Sequence, residues 1–174
     1  KGQDLDCTAA TTWFETFAAN TIAYIDGEDG SKTVVVCQKD NAENVTTLSQ
    51  NIVFDTTFPT GTLSIAGGAE FTGAATVVLA GTFNEPVTYA TSTENLDCST
   101  ATYSGSTVTS FSDAVFALVG EDGRRLAVVC FKDRAGNLAF LEDDIILDTT
   151  PPDGTITINA GAAYTNAATV DLTF

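Results

Sequence analysis

Cysteine is the residue whose chemistry and spacing make the sharpest demand in this sequence. Cys7, Cys37, Cys98 and Cys130 fall into two pairs, each about 30 residues apart. An even number at matched spacing predicts one disulfide within each pair, with buried free thiols as the alternative. No CxxC spacing occurs, so a structural thiolate–zinc site lacks its ligand pattern. Closing a loop of this length stabilises a fold by roughly 3–4 kcal/mol on the chain-entropy account. The predicted compartment is therefore oxidising: secreted, or exposed on a cell surface. There is no histidine. That removes the commonest general base near neutral pH and the usual zinc ligand. Neither a Ser-His-Asp nor a Cys-His site can be built, and no carboxylate pair stands apart as an acid–base couple. The expectation is no catalytic residue and no enzyme.

The remaining chemistry is acidic. Seven Lys and Arg face 23 Asp and Glu, a net charge of −16. Such a surface repels phosphate backbones and anionic headgroups, which argues against nucleic-acid partners. It suits a soluble extracellular chain or one that collects divalent cations. No apolar run approaches the roughly 20 residues of a membrane helix, so no membrane insertion by helix is expected. The opening residues lack the apolar stretch of a signal peptide, which places any such peptide outside this segment. Gly27-Glu28-Asp29-Gly30 and Gly120-Glu121-Asp122-Gly123 read as hairpin turns before apolar strands, or else as cation loops. Glu142-Asp143-Asp144 reads as a solvated strand edge. Trp13, Phe14 and Phe17 form an aromatic group suited to packing or to a contact patch. Asn44-Val45-Thr46 is an N-glycosylation sequon on an expected surface turn.

The elements that position these residues read as β-strands. Thr33–Cys37, Thr62–Ile65, Thr76–Leu79 and Leu126–Cys130 are short β-branched or alternating runs between Gly, Asn, Asp and Pro turns, the pattern of an all-β sandwich. Self-comparison then sets the organisation. Asp55–Leu79 matches Asp148–Leu172 with 15 identities in 25 positions at an offset of 93, where chance gives one or two. Gly27–Gly30, Val35–Cys37 and Lys39-Asp40 return at the same offset, and Leu5-Asp6-Cys7 returns at 91. The unit is about 93 residues, one sandwich. Residues 1–57 correspond to the later part of a unit, 58–150 to a complete unit and 151–174 to the first strands of another.

The run Val128–Asn137, followed by a strand and Asp148-Thr149-Thr150-Pro151-Pro152, resembles the bacterial immunoglobulin-like tandem repeats of large surface and adhesin proteins. Thr82-Phe83-Asn84-Glu85-Pro86-Val87 is similar to a phrase common after the second strand of such domains. The resemblance spans essentially the whole chain and implies tandem immunoglobulin-like β-sandwiches. It also implies bacterial surface exposure and Ca²⁺ at domain junctions, a cofactor not required for the fold. Carried over, the candidate ligands are Asp133 and Asn137 with Asp148 in the complete unit, and Asp40 and Asn44 with Asp55 in the opening one. The same residues also suit turn capping. Glu43 replaces Gly136 in the opening unit, so a tight glycine turn is not expected there. Asn44 cannot serve both a glycan and a metal.

The function these features imply is mechanical: a stalk, filament or surface-layer component stiffened by short proline-bearing junctions. The expected partners are adjacent repeats or other copies of the chain. Residues 154–174 of one chain would complete the open sandwich of residues 1–57 of the next. Continuation of one covalent array is the plainer alternative. The rival function is an adhesin module whose end loops contact a cell-surface ligand. A third is an accessory domain of a secreted enzyme.

Overall fold

The computed structural model describes residues 7–9 and 27–174, and Trp13, Phe14 and Phe17 lie outside them. Within the described residues the chain is all-β, with three short 3-10 turns and no α-helix. Strands β1 (Gly30–Lys39) and β2 (Val45–Phe54) form an antiparallel hairpin running from Gly30↔Phe54 to Lys39↔Val45. Next come β3 (Gly61–Ile65), β4 (Phe71–Thr72), β5 (Thr76–Ser92), β6 (Val108–Ala117), β7 (Gly123–Lys132) and β8 (Leu138–Leu147). A final pair, β9 (Thr157–Ile158) and β10 (Leu172–Thr173), ends the described strands.

One long strand organises the centre. The first half of β5 pairs with β3 on one side and β6 on the other. Its second half, Thr88–Ser92, pairs with β7, which continues to β8 and then to β4 in parallel. β5 therefore belongs to both curled sheets, and they pack as a β-sandwich. The change of sheet falls where its pairing with β6 jumps from Thr82 to Val87. Pro86 lies in that gap, where a residue without an N–H removes no ladder bond.

The two sheets enclose an apolar core because inward positions alternate along each strand. Leu79, Phe83 and Val87 of β5 meet Val129 and Phe131 of β7, Ile145 and Leu147 of β8, and Ile65 of β3. An aromatic group extends it: Phe83 lies 4.8 Å from Phe131 and 6.0 Å from Phe111, and Tyr89 stacks on Phe111 at 4.5 Å. Such pairs each add about 0.5–1.5 kcal/mol beyond burial. Both cysteine pairs are bonded, Cys7 to Cys37 and Cys98 to Cys130. The second bridge ties the loop after β5 to the fully buried Cys130 in mid-strand.

The internal repeat is visible as geometry. Gly30↔Phe54 and Gly123↔Leu147 are the same register at the 93-residue offset. Ile158↔Leu172 repeats Ile65↔Leu79. The loop between β6 and β7 is not a hairpin turn, because β6 pairs with β5 in one sheet and β7 belongs to the other. Gly120-Glu121-Asp122-Gly123 instead crosses between sheets, with Gly120 and Gly123 at φ 114° and 132°.

The Cys98–Cys130 bridge closes a separation of 32 residues, for which loop-closure entropy gives about 4 kcal/mol. Replacing both residues by alanine should lower the unfolding free energy by about that amount, measured by denaturant titration against the parent.

Candidate functional site: an acidic junction

The link from β2 to β3, Asp55–Thr60, is held by a set of polar contacts. Thr57 N–H donates to Asp55 Oδ1 at 3.0 Å. Asp29 Oδ1 accepts from Thr56 N–H and Oγ1–H at 3.0 and 2.9 Å, and Asp29 Oδ2 accepts from Thr57 Oγ1–H at 2.7 Å. Asp122 repeats this one unit on: Oδ1 accepts from Thr149 N–H and Oγ1–H, and Oδ2 from Thr150 Oγ1–H. The role of the Gly-Glu-Asp-Gly segments is therefore to clamp the Asp-Thr-Thr link. The hydroxyl of Thr150, then those of Thr149, hold the Asp122 carboxyl at about 2, below the usual carboxylate range. Asp29 is lowered in the same way, with Thr57 the largest cause.

Further along the link, Pro59 is fully buried. Thr60 N–H donates to Asn84 Oδ1 at 2.8 Å, and Asn84 N–H donates back to Thr60 O at 3.0 Å. Asn84 starts the irregular stretch of β5, and the next residue, Glu85, reaches the junction. The turn between β7 and β8 supplies the third wall. Asp133 is 6% exposed. It accepts from Gly136 N–H at 2.7 Å, Asn137 N–H at 2.9 Å and Asn137 Nδ2–H at 2.8 Å. Asn137 Nδ2–H also donates to the Asp55 carbonyl at 3.1 Å, so one amide ties the turn to the link.

Asp55, Glu85 and Asp133 thereby bring one carboxylate oxygen each within 4.8 Å of one another. Burial first, then the charges of Asp133 and Asp55, push the Glu85 carboxyl above its ordinary value. Three converging carboxylates repel one another, and a proton or a cation would relieve that repulsion. Oxygen-only ligands suit a hard ion. Ca²⁺ bonds at about 2.3–2.6 Å allow its ligands to lie up to about 5 Å apart, which this spacing satisfies.

The residues expected from sequence are grouped differently in space. Asp133, Asn137 and Asp55 come together, across two units rather than within one. Asp133 and Asp148 flank opposite ends of β8, a strand of 10 residues, so about 33 Å separates those ends. Asp148 stands where Asp55 stands one unit earlier, accepting Thr150 N–H at 3.2 Å. Asp40 sits in the β1–β2 turn, at the other end of β2 from Asp55. Asp40 Oδ1 caps that turn by accepting from Ala42 and Asn44 N–H, and Oδ2 accepts from Asn44 Nδ2–H. The sequon amide of Asn44 is thus engaged. The tight turn expected to be missing there does form: Glu43 adopts φ 69° where Gly136 has 102°. A non-glycine residue in that region costs about 1–2 kcal/mol. The Glu43 carboxylate lies 3.2 Å from Lys39 Nζ.

Glu85 was absent from the expected ligands. Its signal was present in Asn84-Glu85-Pro86, where a proline inside a strand marks irregular backbone able to aim a side chain away from the sheet.

No protein-family model matches the chain, and no curated protein does. Among solved structures it is similar to a crystal structure described as a tetra-tandem repeat in the extending region of a large adhesion protein. The identity is 27%, the TM-score 0.43, and the match covers 75% of this chain and 35% of that one. The chain thus spans about a third of that chain's length.

Asp122 binds its partners as an anion, so its contribution is present above the ordinary value of 3.8 and lost as pH falls towards about 2. Thermal unfolding across that window should show a decline that Asp122→Asn flattens. An unchanged pH profile in the variant would refute the clamp.

Proposed function

We propose that this chain is a run of immunoglobulin-like structural repeats from a secreted or cell-surface protein, acting as a stiff spacer in a stalk, filament or surface layer. The carrying observation is the junction. The carbonyl of Asp55 is held by Asn137 of the following sandwich, while Asn84 grips Thr60 by two bonds. A link so fixed at both ends transmits orientation, whereas an unfixed tether of the same length does not. Two disulfides suit an extracellular location. Units of about 93 residues in tandem suit a spacer more than a reader of one ligand, which would need a distinctive unit. The role proposed is mechanical and not catalytic.

The proposal includes Ca²⁺ as the stiffening ion, held by Asp55, Glu85 and Asp133. When bound it would offset the repulsion among the three carboxylates and lock the link to the β7–β8 turn. Asp133 would be held in place by its three N–H donors.

Thermal unfolding and small-angle scattering of the chain, in calcium and in chelator, test both parts. At about 100 times its Kd the ion would stabilise by about 2.7 kcal/mol, and the particle would become more rigid. Asp133→Asn should lose most of that gain. Equal melting and equal scattering in calcium and chelator would rule out the cation.

Glu85 adds a pH test. Its folded value lies above the ordinary 4.5, so in chelator the protonated form favours folding. That stability is lost as pH rises through the folded value. Glu85→Gln should remove the decline in chelator and weaken the response to calcium; a variant that keeps both would exclude Glu85 from the site.

A further inference from the structure

The core of the central sandwich has exposed counterparts at both ends of the chain. Ile145 of β8 is 1% exposed, and Ile52, its counterpart in β2, is 52% exposed. Leu79 and Ile65 are fully buried, and their counterparts Leu172 and Ile158 are 49% and 48% exposed. The β1–β2 hairpin thus presents the face that β7–β8 buries, and residues 154–174 present the face that β3 and β5 bury. We propose that residues 154–174 of one copy dock on the β1–β2 hairpin of a second copy. There they take the places that β3, β4 and the start of β5 hold in the sandwich between Gly61 and Leu147, joining copies head to tail.

The donor is already shaped for this. β9 and β10 pair in the register of β3 and β5. The turn after β9 has Asn159, Ala160 and Gly161 at φ 47°, 53° and 87°, close to the 48°, 67° and 85° of Ala66, Gly67 and Gly68. Two non-glycine residues at positive φ cost energy, and that cost is understood if the segment is built to fit a partner. The acceptor edge is open: among the described strands β2 pairs with β1 alone. In the central unit that edge takes β4 in parallel, with Ile146 N–H donating to Glu70 O and Asp148 N–H to Thr72 O. The transferred register places Tyr164 beside Val53 and Thr165 beside Phe54. Ile65 N–H donates to Asp143 in the complete unit. Gln50 holds that position in the hairpin and can accept from Ile158 N–H without adding charge.

Residue sizes favour this donor. Strand Thr88–Ser92 has no counterpart within residues 154–174, and neither do Phe83 and Tyr89. In the central unit these two pack on Phe111 and Phe131. In the acceptor Gln38 stands for Phe131.

Sedimentation velocity of the whole chain over a concentration series decides the matter, with Ile52→Asp as an acceptor-dead variant and Leu172→Asp as a donor-dead one. Both positions are about half exposed within their own chain, and far-UV circular dichroism with the melting temperature checks that each variant folds. The parent should form a ladder of oligomers, and each variant alone should stay monomeric. An equal mixture of the two should stop at the dimer, because one live donor meets one live acceptor. A parent that is monomeric at every concentration would overturn the proposal in favour of a covalently continued array. So would assembly that survives both substitutions, or a mixture that grows past the dimer. Running the series in calcium and in chelator separates this contact from the junction cation, since neither Ile52 nor Leu172 belongs to the acidic site.

Discussion

A link of a few residues between two sandwiches can be stiff only if its own polar groups find partners that do not move. Backbone N–H and C=O groups left without partners would favour exposure to water and a loose tether. Here the donors of the Asp-Thr-Thr link go to Asp29 in one place and Asp122 in the other. Those aspartates sit on glycine-flanked loops leading into β1 and β7. The loop before the strand that holds the second cysteine of each pair thus holds the exit from the same unit. Register, link and core are coupled, since a slip of one residue in β8 would take the link out of reach of Asp122.

Electrostatics sets the second constraint. A chain carrying a net −16 gains solubility but raises the cost of every further convergence of acids. Asp122 and Asp29 escape that cost by facing N–H and O–H donors, and Asp40 by facing N–H donors. Asp133 is likewise wrapped by donors, yet it shares its surroundings with Glu85 and Asp55. The difference between an acid that caps a turn and one that could hold an ion therefore lies in its neighbours. Asp40 and Asp133 occupy equivalent turns and make equivalent local bonds. Among the described residues only Asp133 meets acids from two other segments.

The repeat makes the chain its own control. The same apolar positions are buried in the central unit and about half exposed in the β1–β2 hairpin and in β9–β10, so sequence alone does not decide their environment. Burying a Leu or Ile side chain contributes about 1.5–3 kcal/mol. Several exposed together are a strong drive to association, the hazard that edge strands present in general. The exposed apolar faces of the hairpin and of β9–β10 make that hazard a candidate interface.

Much of this was legible in the residues. Alternating β-branched runs between turn residues marked the strands, because a half-buried strand requires a period of two. The offset of 93 residues implied that two hairpins would share one register, and matched cysteine spacing implied two bridges. Short-range chemistry of this kind is written along the chain. The composition of the acidic site was not. Asp148 seemed the natural mate of Asp133 because one unit contains both, but an intervening strand carries them apart. Glu85 joined only because β5 changes sheets at Asn84–Pro86, and Asp55 only because the link folds back under the β7–β8 turn. The Gly120–Gly123 loop looked like a hairpin because local turn signals do not record which sheet the next strand enters. Local pattern determined strands, register and bridges. The meeting of side chains from three separate segments depends on how the sheets pack, and only the tertiary structure decided it.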